Sequence, residues 1–336
     1  MNRTIFLVLI VSFFLAGAVN ADIEIVTTTP DIAAIARAIG GEKVDVISIA
    51  KGYQDPHHII AKPSYMIKAK RADLWIRNGM DLEIGWEPLI LEGARNSNIL
   101  FGGKGHLDVS MRVKKLEVPQ VIDRSLGDIH PLGNPHYTLD PYNGKIIAED
   151  ICNKLSEMDP DSAVYYLENL DEFVKKIDRK MFGDELVKEI GGDEAWKALE
   201  AGRLDGLLEE KNLTDKAGGW YAKMKPYHGT AYIAYHKNWS YFNRRFGLEV
   251  AEYVEPKPGI PPTPSHLMRV LQVIRKREIP FILQAIYYST KASEFLQQKT
   301  SIKVIEAASM VGGEEGIKTY CDLFDYLTDK IAGALK

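Results

Sequence analysis

Apolar and polar positions along the chain alternate in two registers, one suited to strands and one to helices. Ile23 to Val26 is a β-rich start, and Val44-Asp45-Val46-Ile47-Ser48-Ile49 alternates as a strand does. Between them Ile32 to Ile39 reads as a helix, with Asp31 as N-cap and Gly40-Gly41 as its stop. The same sequence of strand then helix continues. A helix capped by Ser64 runs to Ala72, a buried strand covers Leu74-Trp75-Ile76, a helix runs from Trp86 to Ala94, and Ile99-Leu100-Phe101 reads as a strand. Strands that alternate with helices in this way predict a parallel sheet covered by helices, an α/β lobe. Gly102-Gly103-Lys104-Gly105 lacks the spacing and the hydroxyl residue of a phosphate loop, so it reads as a turn.

Leu126 to Tyr142 is rich in Pro, Gly, Asn and Asp and reads as a loop, followed by a helix from about Lys145 to Met158. Asp159-Pro160 then opens a long helix in which Val164, Leu167, Leu170, Val174, Ile177 and Met181 recur at three- and four-residue steps. About twenty residues at 1.5 Å each would make a rod of roughly 30 Å, enough to join two domains at a nearly fixed distance. No Pro or Gly lies between Asp161 and Met181 to bend it, so large hinge closure is not expected. Residues 183–225 are charged and punctuated by glycine, with short helical pieces. A second lobe follows. Its strands are expected at Thr230 to Ala234, Phe281 to Leu283 and Lys303 to Ile305. Its helices are expected at Asn238 to Phe246, His266 to Arg277 (capped by Ser265), Lys291 to Lys299 and Gly316 to Leu335.

Composition narrows the class. The 336 residues suffice for two domains, and 46% hydrophobic with 26% charged residues is ordinary for a globular protein. A formal charge of -4 offers no basic face, which sets nucleic acid aside as a partner. Arg3, the apolar run Ile5 to Ala18 and the small residues before Asp22 read as a cleavable signal peptide over residues 1–21. The run is short for a membrane span. No cysteine lies near the cut, so the expectation is an exported, periplasmic protein without a lipid anchor. Cys152 and Cys321 fall in helical stretches, and the sequence leaves open whether they pair.

The candidate chemistry is histidine. His57 sits in Asp55-Pro56-His57-His58 just after a strand, His136 in Asn134-Pro135-His136, and His236 just after the strand Thr230 to Ala234. Loops at strand C-termini are where open α/β sheets hold ligands, and imidazoles from three separate loops can make most of a tetrahedral metal site. His58 is expected to face away and His130 to stay outside the first shell. His106, His228 and His266 read as surface or capping residues. Three histidines plus water is also the layout of a catalytic zinc site, so a secreted zinc hydrolase is the alternative. No His-Glu-x-x-His occurs, and Asp55 before Pro56 suits a turn better than a general base.

Several separated motifs in order make the chain resemble the zinc/manganese solute-binding proteins that feed bacterial ABC importers. They are Thr27-Thr28-Thr29-Pro30-Asp31, Asp55-Pro56-His57, Lys62-Pro63-Ser64, Ala72-Asp73-Leu74 with Asn78-Gly79, and His130-Pro131-Leu132-Gly133-Asn134-Pro135-His136. Leu139-Asp140-Pro141, Tyr235-His236, Tyr241-Phe242, Gly247-Leu248 and Pro258-Gly259-Ile260 complete the set. The resemblance implies two α/β lobes (22–158 and 183–336) with parallel sheets flanked by helices, one rigid linking helix (159–182), and metal in the cleft between them. It implies a receptor rather than an enzyme, expected as a monomer that hands its ion to a membrane permease. It also assigns the first three ligand positions to His57, His136 and His236. Many members carry an aspartate as fourth ligand, and that position falls here on Ala308, leaving water or Glu306. The His-rich loop of some zinc members is missing. Three imidazoles favour Zn2+ over manganese, whose sites lean on oxygen donors, and a manganese member would be expected to carry a carboxylate in place of His236.

Overall fold

The structure, a computed structural model, describes residues 23–120 and 130–336. The signal peptide expected over 1–21, and the stretch 121–129 that includes the start of the expected 126–142 loop, lie outside the described residues. Among the described residues no helix is long and apolar enough to cross a membrane.

Two parallel four-stranded sheets, each flanked by helices, make the two-lobed α/β fold expected. The first holds β1 (Ile23–Thr27), β2 (Val44–Ser48), β3 (Leu74–Arg77) and β4 (His106–Asp108) in the order β2-β1-β3-β4. The second holds β5 (Ala231–Ala234), β6 (Glu249–Tyr253), β7 (Phe281–Ala285) and β8 (Lys303–Ala307) in the order β6-β5-β7-β8. Both orders reverse direction beside the first strand of the sheet, and such switch points open a crevice at the carboxyl ends of the strands. The helices of the first lobe are α1 (Pro30–Gly40), α2 (Pro63–Arg71), α3 (Glu87–Ala94) and α4 (Pro141–Met158). The joining helix is α5 (Ala163–Phe182). Four short helices follow, α6 (Asp184–Ile190), α7 (Gly192–Glu200), α8 (Leu204–Glu210) and α9 (Gly219–Met224). The chain ends through α10 (Ser240–Phe246), α11 (Pro264–Arg277), α12 (Lys291–Thr300) and α13 (Tyr320–Leu335).

Several local expectations are corrected. Ile99-Leu100-Phe101 is no strand: Ser97–Ile99 is a 3-10 turn and Phe101 is exposed, while the fourth strand comes after the glycines. Those glycines let the chain fold back on itself, since a Cβ on Gly105 would lie 2.1 Å from the Asp73 carbonyl. Strand β6 goes unannounced by the sequence because it is an edge strand, Glu-Val-Ala-Glu-Tyr, with no long apolar run. Asp31 is not a cap. Thr29 holds that place, and the Asp31 carboxylate is buried in the first turn of α1. Lys62 and Thr263 likewise stand at the N-caps of α2 and α11, ahead of the Ser64 and Ser265 expected, while α13, expected from Gly316, starts later, after the N-cap Thr319. Cys152 and Cys321 are both buried free thiols.

The rod is present, but its buried stripe begins one face over. Val164 and Leu167 are exposed, and the buried residues are Tyr166, Phe173, Ile177, Asp178, Met181 and Phe182. The tyrosines explain the rotation: Tyr166 donates to Asp159, and the Tyr165 hydroxyl receives the Glu42 N–H, so the start of α5 leans on α1. Leu186, Trp196, Leu204 and Trp220 of the short helices join the same apolar core as Ile32 and Ile151 of the first lobe and Phe242 and Leu323 of the second. One core runs through both lobes, so a hinge would have to open packed apolar surface as well as bend a helix.

Candidate metal centre

Three loops meet where the carboxyl ends of the two sheets face each other. After β2 the chain turns through Pro56, whose carbonyl accepts the Trp86 indole N–H at 2.9 Å, and presents His57. His236 follows β5 directly. His136 comes from the loop before α4, with its backbone N–H donated to the Asn134 side-chain oxygen at 2.9 Å. One ligand nitrogen from each of the three histidines lies within 4.8 Å of the others. Ring centroids stand 5.1 Å apart for His57 and His136, 5.8 Å for His57 and His236, and 5.9 Å for His136 and His236.

Two of these rings are aimed by carboxylates. Nδ1 of His57 lies 2.7 Å from Asp55, which also accepts the His57 backbone N–H at 3.0 Å. Nδ1 of His236 lies 2.6 Å from Glu255. A carboxylate on one ring nitrogen fixes the tautomer and leaves a lone pair on the other for a metal. Among the described residues, Nε2 of His57 is buried with no hydrogen-bond partner, and Nε2 of His136, a ring with no such carboxylate, is in the same state. Burial pushes the Asp55 carboxyl up, but its bonds to His57 and the charge there outweigh this and hold it below the usual range. Asp55 therefore has a positioning role beyond the turn expected of it. Glu255 could not be found from sequence, because the strand that delivers it was itself unseen.

The loop carrying His136 is held from both lobes. Asn134 donates to the Lys237 carbonyl at 2.7 Å, and Thr138 donates to Asp31 at 2.8 Å. Asp31 in turn accepts the Val311 N–H of the second lobe at 2.7 Å; its burial raises its pKa to about 6. Asp140 caps α4 and receives a two-pronged bond from Arg245, 2.8 Å on each oxygen. A cavity of about 520 Å³, lined by His130, His136, His236, Lys237 and Pro256 among others, opens over the site.

The remaining candidates fall out differently. His58 is exposed, as expected. His266 is no surface residue: it is buried, with Nε2 2.9 Å from the Tyr253 carbonyl. Glu306 does not reach the metal group, since strand alternation leaves it exposed while Ala307 turns inward. Ala308 does not line the site either. It packs into the common core, its N–H donated to the Tyr326 hydroxyl at 3.2 Å. The residue of that turn beside His136 is Ser309, 3.1 Å from the Tyr287 hydroxyl in a small pocket that His136 also lines. Ala308→Asp should therefore leave metal affinity unimproved and destabilise the fold by about 2–4 kcal/mol, the order expected for an unpaired buried carboxylate. Tighter metal binding by this variant in calorimetry would contradict that placement.

His130, expected outside the first shell, lies beside the group, its ring centroid 5.2 Å from that of His57. Burial, then the charges of His57 and His236, push its pKa down to about 3. Burial and the same neighbours hold His136 well below its ordinary value. Between pH 6.5 and about 3 the unfolded chain binds a proton on His130 that the folded chain refuses. Stability is then full above 6.5 and falls with pH, by about 1.4 kcal/mol per pH unit for each such histidine. Denaturant unfolding of the metal-free protein should show that slope below pH 6, and His136→Asn should lower it by about one proton. An equal slope in the variant would refute the assignment.

Comparison with known proteins places these residues in context. The sequence profile described as "Zinc-uptake complex component A periplasmic" (ZnuA) matches residues 25–181 and 210–334. A Streptococcus mitis protein named manganese ABC transporter substrate-binding lipoprotein PsaA is 25% identical over 326 residues, covering 95% of this chain and 91% of that one. The Streptococcus sanguinis metal ABC transporter substrate-binding lipoprotein SsaB is 25% identical over 324 residues, with the same coverage of 95% and 91%. Among solved structures, a crystal structure of ZnuA aligns with a TM-score of 0.69 at 20% identity, over 94% of this chain and 99% of that one. A manganese-bound periplasmic metal binding protein from Candidatus Liberibacter asiaticus aligns with a TM-score of 0.66 at 19% identity, over 93% of this chain and 99% of that one. At these identities the structural likeness speaks for the fold.

Proposed function

The chain belongs to the family of zinc-uptake component A, and from that premise we propose that it is an exported receptor that captures Zn2+ through His57, His136 and His236. As a metal ABC transporter substrate-binding protein it serves an import permease; the finer assignment is to zinc. The observation that carries it is the donor set. Three imidazole nitrogens lie within 4.8 Å of one another, and carboxylates hold Nδ1 of two of the rings instead of facing the ion. Nitrogen donors suit zinc, whereas manganese prefers carboxylate and water oxygen. The streptococcal relatives are named for manganese or for metal in general, so metal choice is the point to test. Elemental analysis of protein purified from its native compartment should find one zinc per chain. Titration calorimetry should give zinc the advantage over manganese, and a preference for manganese would overturn the zinc assignment.

The same geometry argues against turnover. Asp55 and Glu255, the carboxylates beside the ligands, are both engaged by ring nitrogens, which leaves neither free as a general base. The protein acts alone, as a monomer, until it meets the permease. The named relatives are lipoproteins, yet lipid attachment needs a cysteine at the cut, and Cys152 and Cys321 are buried in α4 and α13. We therefore propose a free periplasmic form cut after Ala21. The intact mass of the native protein should correspond to a chain starting at Asp22, and an added lipid mass would refute free release.

A further inference from the structure

Three imidazoles leave a four-coordinate ion one open place, and the nearby carboxylates do not fill it. Glu306 points out, Ala308 is in the core, and Asp55 and Glu255 face ring nitrogens. His130 is the next imidazole beside His57, outside the group of three. Its ring lies 5.2 Å from that of His57, close to the 5.1 Å of His136 and nearer than the 5.8 Å of His236. Its Nε2 is buried and without a hydrogen-bond partner among the described residues, the same state as Nε2 of His57 and His136.

The other side of the ring is built to keep it that way. The Met80 backbone lies within reach of the imidazole as a hydrogen-bond partner, and with Nε2 unpartnered the ring nitrogen it can serve is Nδ1. Donation from Nδ1 leaves the Nε2 lone pair bare. Met80 and the next residue, Asp81, both hold left-handed backbone, at φ 52° and 61°, although neither is glycine. Such conformations are strained and persist where the surroundings impose them. Here they fall on the residue whose backbone partners His130. A buried acceptor left unsatisfied is costly, and a metal ion would relieve that cost.

We infer that His130 is the fourth protein ligand, so that the captured ion is held by four imidazole nitrogens and the aspartate position of relatives is not needed. This rests on the metal-receptor reading. The His130 nitrogen is not among the three already within 4.8 Å of one another, so coordination draws the ring inward. A shell of neutral nitrogens without an oxyanion would sharpen the preference for zinc over manganese.

X-ray absorption at the zinc edge, on the full-length mature protein loaded with one zinc, counts the donors directly and needs no variant. The wild type should show four nitrogens at about 2.0–2.1 Å. His130→Ala and His130→Gln, checked for folding by circular dichroism, should show three nitrogens and an oxygen. They should bind zinc more weakly by roughly a hundredfold, at or beyond the upper end of what loss of a partner outside the ligands brings. A wild-type shell of three nitrogens and one oxygen, unchanged in both variants, overturns this inference and leaves the receptor reading standing. No zinc binding by the wild type, with His57→Ala indistinguishable from it, overturns both.

Discussion

His57→Ala, His136→Ala and His236→Ala should each lose zinc affinity by well over a hundredfold, while the positioning variants Asp55→Ala and Glu255→Ala lose about 10–100-fold. The grading follows from the atoms. The three nitrogens within 4.8 Å of one another are the proposed donors, and each alanine removes one of them outright. Of each ring, Asp55 and Glu255 touch Nδ1, at 2.7 and 2.6 Å, so their loss frees a ring to turn and shift tautomer without removing a lone pair. Competitive titration against a zinc chelator separates the two classes. If a ring variant keeps wild-type affinity, that histidine is not a ligand. If the carboxylate variants match the ring variants, the carboxylates are doing more than aiming the rings.

Arg245→Ala should destabilise the protein by about 3–5 kcal/mol, the range for breaking one side of a buried ion pair. Arg245 is buried, its guanidinium bonded at 2.8 Å to both oxygens of Asp140, and 2.5 Å from Glu200 of α7. It also lies 4.8 Å from the centre of the Trp196 ring, a cation–π contact from the same helix. Burial alone would lower its pKa, but Asp140 and then Glu200 raise it. Removing the cation leaves the buried Asp140 carboxylate, at the cap of α4 and four residues from His136, with only the longer 3.9 Å ion pair to Arg244 among the described residues. Glu200→Gln, at a partly exposed carboxylate, should cost only about 1 kcal/mol or less. Urea unfolding at constant m distinguishes these outcomes, and equal losses in the two variants would remove Asp140 as the reason. Residues 182–209, outside the stretches matched by the family profile, supply both Trp196 and Glu200. This segment, which carried no recognisable chemistry as sequence, thus braces the loop of the metal centre.

The sequence by itself determined the lobes, the rod and the three histidines that the fold brings together. Strand and helix periods are local properties, and the strands buried on both faces, such as Leu74-Trp75-Ile76, read as unbroken apolar runs. His57, His136 and His236 were legible because proline or a strand end fixes each locally, and because motifs around them match a known family. Edges and caps were less legible. Strand β6 has a half-exposed pattern that only pairing with β5 makes a strand, and that pairing delivers Glu255. The rotation of α5 was decided by Tyr165 and Tyr166 meeting the first lobe, which no helical period encodes. Tertiary structure alone decided the surroundings of the site. Glu306 and Ala308 lie two residues apart, yet the strand's alternation and the packing of the turn send one to solvent and the other to the core. His130 and Met80 are fifty residues apart in the chain, so a bond that leaves one imidazole nitrogen bare exists only after both loops are folded against each other.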